Sequence, residues 1–389
     1  MRKQARERNE KGQAGEARRL FLLRPADLGE LIAALGRRGY SVIAPTVRDG
    51  AICYEPVSGV EELPAGYTQE LEAGSCRLKR RNDEALFGYV VGPKSLKNYL
   101  HPAERRVVVA ERDNGVFRIL PEAPTRPRYG FLGVRPCDLA AAAIQDRVFL
   151  KDRYRDAEYQ SRREGAFIVA VHCTQPAPTC FCASMGTGPR AREGFDIALT
   201  EIVEAGRHVL LAEAGTASGA ELLAELNAPE APEELRRSAE EALERAAAAM
   251  KRHLDGDGIR ELLYGRFEDP HWDEVARRCL CCGNCTLVCP TCFCVTFEDT
   301  SDVGGRRAER WMRWDSCFTQ NFSYIHGGSV RLSPKSRYRQ WLTHKLAAWI
   351  DQFGTSGCVG CGRCITWCPV GIDITQEVAA LRGAARAQA

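Results

Sequence analysis

Two cysteine runs with identical spacing constrain the fold of this chain more than any other feature of the sequence. Each run has the pattern C-x2-C-x2-C-x3-C-P. The first run contains Cys279, Cys282, Cys285 and Cys289, and the second contains Cys358, Cys361, Cys364 and Cys368. Thiols that recur every third or fourth residue can converge on a compact metal centre, whereas disulfides usually join distant parts of a fold. We therefore expect this part of the chain to fold around metal.

The overall composition agrees with metal binding inside a cell. The chain has 389 residues and 18 cysteines, so it is long enough to bury a core without disulfide staples. Its first residues are charged and lack the apolar segment of a secretory leader, which predicts a cytoplasmic location. The chain contains no run of about eighteen apolar residues, and Lys plus Arg (54) nearly balance Asp plus Glu (51). We expect no direct membrane contact and no nucleic-acid partner.

The spacing of both runs matches that of bacterial ferredoxins, which hold four-iron four-sulfur clusters. In two-cluster ferredoxins the fourth cysteine of each run binds the cluster of the other run. The first predicted cluster therefore has Cys279, Cys282, Cys285 and Cys368 as ligands, and the second has Cys358, Cys361, Cys364 and Cys289. We also expect the fourth cysteine of each run to open a helix, with the proline in its first turn. Structural zinc is the alternative, but zinc modules usually place a dozen or more residues between two C-x-x-C pairs.

Four further cysteines form a weaker constellation in the first half of the chain. Cys137 and Cys173 each follow a predicted strand, and Cys180 and Cys182 lie in a Pro-rich loop soon afterwards. Ligand sites in α/β sheets gather beyond the carboxyl ends of the strands. These four thiols are predicted to hold a third four-iron four-sulfur cluster. Zinc is the alternative metal, and buried packing thiols are the structural alternative.

The other cysteines near the first run and one glycine-rich segment carry less information. Cys281, Cys292, Cys294 and Cys317 could bind a further metal, although packing beside the clusters is the simpler interpretation, and Cys281 is expected to point away from the cluster. Residues 186–191 fit G-x-G-x-x-A, but they do not follow an apolar strand as a dinucleotide fingerprint requires. We interpret this segment as a tight loop around the third site.

The pattern of apolar residues predicts an α+β fold, with an N-terminal mixed α/β domain followed by an α-helical two-cluster ferredoxin-like domain. Asp49-Gly50 and Asn114-Gly115 separate pairs of apolar segments and predict hairpins. Residues 342–353 have the spacing of an amphipathic helix, and we expect helices to fill the segment between the two runs. The expected divisions are a disordered charged tail (1–19), the mixed α/β domain (20–214), a helical connector (215–270) and the helical ferredoxin-like domain (271–389).

Six segments of the chain resemble one known protein family. They are GVRPCDLAA (133–141), QDRVFL (145–150), HCTQPAPTCFCASMGTGP (172–189), CGNCTLVCPTCFC (282–294), RWDSCF (313–318) and CVGCGRCITWCPVGIDI (358–374). Together they resemble the beta subunit of cytoplasmic NAD(P)-linked nickel–iron hydrogenases, also called sulfhydrogenases. The iron–sulfur protein of anaerobic sulfite reductase is a relative of that family. The resemblance runs from about residue 20 to near the C-terminus.

The resemblance implies an iron–sulfur electron-transfer subunit that has no catalytic residues of its own. Its implied partners are a flavin subunit that handles NAD(P)H and the small and large subunits of a nickel–iron hydrogenase. A sulfite reductase or another reductase complex is the alternative terminal partner. A zinc-bearing structural adaptor is an alternative of another class, and the near-neutral charge and the ferredoxin-type runs argue against it.

Overall fold

The computed structural model describes residues 19–90, 92–151, 154–204 and 206–387. The charged tail expected at residues 1–19 lies outside the described residues, apart from Arg19. The strands are β1 (Leu20–Leu23), β2 (Ser41–Arg48), β3 (Ala51–Pro56), β4 (Tyr67–Glu72), β5 (Ser75–Arg80), β6 (Glu104–Asp113), β7 (Val116–Pro121), β8 (Tyr129–Val134), β9 (Phe167–Val171), β10 (Ile197–Glu204), β11 (Arg207–Ala214), β12 (Val295–Ser301), β13 (Arg307–Trp314), β14 (Tyr324–Ile325) and β15 (Gly328–Ser329).

The helices are α1 (Asp27–Arg37), α2 (Lys97–Leu100), α3 (Pro136–Phe149), α4 (Ala157–Glu164), α5 (Ala217–Glu225), α6 (Glu233–Ala248), α7 (Ile259–Gly265), α8 (His271–Arg278), α9 (Asn284–Leu287), α10 (Pro334–Thr343), α11 (Trp349–Phe353), α12 (Arg363–Thr366) and α13 (Ile374–Ala387). A single 3₁₀ turn covers Val60–Glu62, and a π-helical turn, His344–Ala348, joins α10 to α11. In the described part of the chain, no helix is both long enough and apolar enough to cross a membrane.

A seven-stranded sheet with the order β1-β11-β10-β9-β8-β2-β3 forms the N-terminal half. Its central strands β2, β8, β9 and β10 run parallel, and the outer strands are antiparallel. Neighbouring residues of the central strands face opposite cores: Leu132 and Val169 pack on one side, and Phe131 and Ile168 pack on the other. A parallel sheet covered on both faces has its ligand-binding edge at the carboxyl ends of its strands. Here that edge is where β8 and β9 end, at Val134 and Val171.

The hairpins predicted at Asp49-Gly50 and Asn114-Gly115 are confirmed, because β2 pairs with β3 and β6 pairs with β7. The expectation of helices throughout the segment between the two cysteine runs is only half right. Residues 342–353 are helical, within α10, the π turn and α11, but Val295–Ser301 and Arg307–Trp314 are strands. Alternating polar and large side chains, as in RAERWMRW, favour a strand that is covered on one face.

The second sheet joins the two halves of the molecule. Its order is β12-β13-β6-β7, so a hairpin from the C-terminal half pairs directly with a hairpin from the N-terminal half. The remaining C-terminal helices pack around an aromatic core that includes Trp272, Phe318, Tyr338 and Trp341. Cys279, Cys285, Cys364 and several other thiols of the two runs pack against this core. The fold is therefore mixed α/β, with a sheet-rich N-terminal region and a ferredoxin-like C-terminal region.

Candidate iron–sulfur centres

The two cysteine runs share one backbone shape. In each, a glycine with positive φ (Gly283 at 78°, Gly362 at 75°) precedes a four-residue helix, α9 or α12. The third cysteine lies in that helix and the fourth follows it. The expectation that the fourth cysteine opens a helix is therefore wrong. The residue before a proline avoids the helical region, so Pro290 and Pro369 end these short helices instead of starting new ones.

The first site brings together thiols from both runs. One space in the structure is lined by Cys279, Cys282, Cys285 and Cys368, and also by Cys364. Cys368 belongs to the second run, so its position beside the first three thiols agrees with the crossed ligand set. Cys281 does not line this space. The first site therefore contains the four thiols that the spacing of the runs predicts.

Side-chain exposure and apolar packing differ across the first site. The Phe318, Tyr338 and Trp341 rings form its inner wall. Burial raises the pKa of the Cys279 thiol to about 11. Cys282, in contrast, is exposed on the outer side of the site. The site is thus embedded in apolar side chains on one side and open to the surface on the other.

The second thiol set adjoins the first, because Cys364 also lines the first site. Burial raises the pKa of Cys358 to about 12. Cys289 of the first run is close enough for its charge to raise the pKa values of Cys358, Cys361 and Cys364 further. These are the four residues of the second predicted ligand set. A neutral buried thiol becomes a metal-binding thiolate only when a cation offsets the burial cost, and iron would supply that charge.

The buried side chain of Lys345 contacts this second thiol set, and the sequence analysis did not predict the contact. The Lys345 ammonium donates to Cys289 Sγ at 3.3 Å and to Cys292 Sγ at 3.5 Å. It also donates to Thr291 Oγ1 at 3.3 Å and to the Gly357 carbonyl at 3.0 Å. Burial alone would lower the pKa of Lys345, but the surrounding thiols raise it well above its ordinary value. A lysine on the inward face of the predicted helix 342–353 was the only sequence signal for this contact.

The four cysteines of the predicted third site also lie close together in the structure. Cys137 follows β8 and Cys173 follows β9, and with Cys180 and Cys182 they line a common space. Burial raises the pKa values of all four thiols, that of Cys180 to about 12. The four thiols lie together because neighbouring parallel strands end at the same edge of the sheet, and their role as cluster ligands stays a prediction.

Arg135 and the glycine-rich loop complete the walls of the third site. The Arg135 guanidinium is buried and donates to the carbonyls of Phe87, Tyr89 and His172, which fixes the ends of β8 and β9. Residues 186–191 open no helix, and Pro189 lines the site. Residues 186–191 are therefore a loop beside the four thiols, and the metal site that they would border stays a prediction.

The third site packs directly on the loop of the second run. Cys361 lines the third site as well as belonging to the second set. The Phe181 N–H donates to the Gly360 carbonyl at 2.8 Å. A Cβ on Gly360 would lie 2.7 Å from Cys182 Cα, and one on Gly362 would lie 2.4 Å from the Thr179 carbonyl oxygen. Only glycine at these two positions allows so close an approach.

A buried ion pair joins the same two segments. Arg363, between Cys361 and Cys364 in sequence, donates to both carboxylate oxygens of Asp138 at 2.7 and 2.9 Å. Asp138 directly follows Cys137. Both side chains are almost completely buried. A bidentate pair of this kind fixes the relative orientation of its two side chains, so it fixes the position of the second thiol set relative to the third.

The remaining cysteines of the C-terminal half, Cys292, Cys294 and Cys317, lie near Lys345. Cys294 and Cys317 hydrogen-bond to each other through their side chains, and this bond lowers the pKa of Cys294 to about 7. Over the residues that the structure describes, no three His, Cys, Asp or Glu side chains converge on one point as ligands of a single metal ion. A four-iron cluster instead spreads its ligands over four metal atoms, and the thiol-lined spaces of the first and third sites fit that donor set.

Comparison with known proteins agrees with this geometry. Residues 278–372, which contain both runs, match the 4Fe-4S dicluster domain family. The chain is similar to sulfhydrogenase 2 subunit beta of Pyrococcus furiosus, with 30% identity over 335 residues. That alignment covers 85% of this chain and 89% of the relative. Together, the dicluster domain and the similarity along most of both chains place this protein in the family of sulfhydrogenase beta subunits, which are iron–sulfur subunits.

Proposed function

We propose that this chain is a cytoplasmic electron-relay subunit with three four-iron four-sulfur centres. The proposed ligands are Cys279, Cys282, Cys285 and Cys368 for the first centre, Cys358, Cys361, Cys364 and Cys289 for the second, and Cys137, Cys173, Cys180 and Cys182 for the third. Bound clusters of this type supply one-electron transfer. On this proposal the third centre belongs to an α/β unit of residues 20–214. A connector of residues 215–270 then leads to the other two centres in residues 271–389.

The observation that carries this proposal is the overlap between neighbouring thiol sets. Cys364, a proposed ligand of the second centre, also lines the first site. Cys361, another ligand of the second centre, also lines the third site. Shared lining residues of this kind mean that the thiol sets adjoin one another, with the second set between the other two, and we call this arrangement a row. Such a row supports a relay, because metal sites that only stabilise a fold do not need to adjoin.

The two ends of the row differ in access. Cys282 at the first site is exposed, whereas Cys173, Cys180 and Cys182 at the third site are buried. The exposed end is bordered by the apolar side chains of Leu280 and Val370. We propose that the first centre exchanges electrons with one partner at this surface, and that the third centre serves the other partner.

The proposed partners are a flavin subunit that handles NAD(P)H and a nickel–iron hydrogenase module. The relative is named as a sulfhydrogenase subunit, which supports a complex of several subunits for this chain as well. The chain has no dinucleotide fingerprint of its own, because residues 186–191 form the loop beside the third site. Purification of the tagged chain from its native host tests the partners. A nickel–iron protein that co-purifies supports the proposal, and a sirohaem protein in its place would make the complex a sulfite reductase.

Iron analysis tests the number of centres. Anaerobically purified protein is expected to be brown and to contain about twelve iron atoms per chain, four for each centre. About eight would remove the third centre and leave the ferredoxin-like pair. Fewer than four, with zinc in their place, would contradict the relay altogether.

Replacement of one thiol tests the third centre in the assembled complex. In a Cys137→Ser complex, hydrogen-dependent reduction of an artificial dye should stay near the wild-type rate, because dyes can accept electrons beside the catalytic subunit. Hydrogen-dependent NAD(P) reduction should fall sharply if the third centre leads to the flavin. An equal loss of both activities would indicate a misassembled complex, and no loss of either would make Cys137 a packing residue.

A further inference from the structure

The Lys345 side chain is a buried charged group that the proposed relay does not explain. It is 4% exposed. Its four hydrogen-bond acceptors are two thiols, one hydroxyl and one carbonyl, and none of them is a carboxylate. A buried ammonium is costly unless an anion compensates it. The nearest groups that can become anionic are the thiols of Cys289 and Cys292, so the structure requires negative charge at that place.

The backbone holds this ammonium in position. Lys345 lies in the π-helical turn His344–Ala348, inside an otherwise α-helical segment. Single π turns inside helices are frequent at functional sites because they redirect side chains. The Gly357 N–H donates to the Lys345 carbonyl at 2.8 Å, and the Gly357 carbonyl accepts from the Lys345 ammonium at 3.0 Å. Both ends of the lysine are therefore tied to the residue that precedes Cys358.

The cysteines around Lys345 do not form a convincing further metal site. In the described part of the chain, no three His, Cys, Asp or Glu side chains converge as ligands of one metal ion, and Cys292 accepts a hydrogen bond from the ammonium at 3.5 Å. Among the residues that the structure describes, no lysine or arginine donates a hydrogen bond to Cys368, the crossed ligand of the first site. Its Sγ accepts from the backbone N–H of Ile372 at 3.4 Å. Lys345 therefore distinguishes the second thiol set from the first.

We propose that Lys345 is a positioning residue that raises the reduction potential of the second centre, an inference that rests on the ligand sets of the proposed function. One-electron reduction adds a negative charge to the centre. A fixed positive charge and an N–H directed at the sulfur of Cys289 stabilise that charge in a low-dielectric interior. Lys345 thereby makes the middle centre of the row easier to reduce than the same ligand set would be without it.

Redox titration of the full-length, cluster-loaded protein, followed by electron paramagnetic resonance, tests this role. The second centre is the signal that disappears in a Cys289→Ser variant. In Lys345→Met and Lys345→Gln we expect at least a tenfold fall in the equilibrium constant for one-electron reduction, which lowers the midpoint potential by at least about 59 mV. Lys345→Arg, which keeps the charge, should restore most of the wild-type value.

Lys335→Met is the matched control, because Lys335 lies earlier in the same helical segment and pairs with Asp273 at the surface. Its midpoint potentials should equal those of the wild type. An unchanged second signal in Lys345→Met at full iron content would overturn the proposal, as would a shift confined to the first centre. If neither Lys345→Met nor Lys345→Gln retains the second centre, Lys345 is an assembly residue and the tuning role is wrong. A wild-type protein without any Cys289-dependent signal would instead contradict the proposed ligand sets.

Discussion

The two cysteine runs have the same spacing and backbone shape, but they face different surroundings. Leu280, after the first cysteine of the first run, is 64% exposed, whereas the equivalent Val359 is 2% exposed. Asn284 of the first run is exposed and donates to the Trp367 carbonyl, whereas the equivalent Arg363 is buried against Asp138. The first loop meets the surface, and the second loop meets the α/β half of the molecule.

This difference shows that the motif specifies the shape of a metal site but not its environment. The left-handed glycines and short helices recur because the spacing of the thiols requires them. Burial, the ion pair with Asp138 and the ammonium of Lys345 come from segments far away in the sequence. Since burial and hydrogen bonds to sulfur set the potential of such centres, two identical motifs can hold centres with different properties.

The largest expected effect tests whether the two runs exchange their fourth ligands. In Cys368→Ser, the centre associated with Cys279, Cys282 and Cys285 should be lost, because the serine removes its crossed ligand. Iron should fall by about four atoms per chain. In Cys289→Ser, the other centre should be lost instead. Paramagnetic resonance of the reduced variants shows which signal disappears. If Cys368→Ser removed only the signal that depends on Cys358, each run would bind its own cluster.

The second effect compares equivalent positions of the two runs. Arg363→Ala leaves the Asp138 carboxylate buried without its partner, and breaking such a pair costs about 3–5 kcal/mol. Asn284→Ala removes one exposed hydrogen bond and should cost less than about 1 kcal/mol. Apparent melting temperatures of the two loaded variants, measured side by side, provide the comparison. Similar losses in both variants would mean that the ion pair does not distinguish the second run from the first.

The third effect concerns the close contact between the second run and the third site. Ala in place of Gly360 must adopt a φ near 64°, which costs about 1–2 kcal/mol for a residue with a Cβ. Its Cβ would also lie 2.7 Å from the backbone of Cys182, so the third-site loop has to move. We expect lower thermal stability and a selective loss of iron from the third site. Full retention of about twelve iron atoms would show that the loop adapts without losing its ligands.

The sequence predicted the parts of the molecule that depend on local spacing. The crossed thiols of the first site, the two hairpins and the helix containing Lys345 all follow from short patterns of residues. The third site was also predictable, because Cys137 and Cys173 follow strands that end at one edge of a parallel sheet. In each case the signal is a short local pattern, even where the residues that it brings together are far apart in the chain.

The features that escaped prediction depend on contacts between distant segments. Arg363 and Asp138 are separated by 225 positions in the chain, and nothing near either residue indicates the other. The hairpin of β12 and β13 was not predicted, because the strand that pairs with it, β6, lies in the N-terminal half. In the sequence, Lys345 has the position of an ordinary helical lysine, and only the fold shows that it contacts Cys289.

The smallest expected effect concerns Cys281, the extra cysteine of the first run. Cys281 occupies the position equivalent to Gly360 and has a φ of 54°, close to the 64° of that glycine. Its left-handed conformation is therefore part of the shared shape of the runs, and its side chain does not line the first site. Cys281→Gly relieves backbone strain but loses some packing and gains unfolded-state entropy, so stability should change by less than about 1 kcal/mol. Iron content and the first-centre signal should remain as in the wild type. Cys281→Val, whose branched side chain disfavours positive φ, should instead lower stability by about 1–3 kcal/mol. Loss of the first-centre signal in Cys281→Gly would make Cys281 a ligand and the crossed set incomplete, whereas equal stability of the glycine and valine variants would show that the left-handed backbone is not retained in solution.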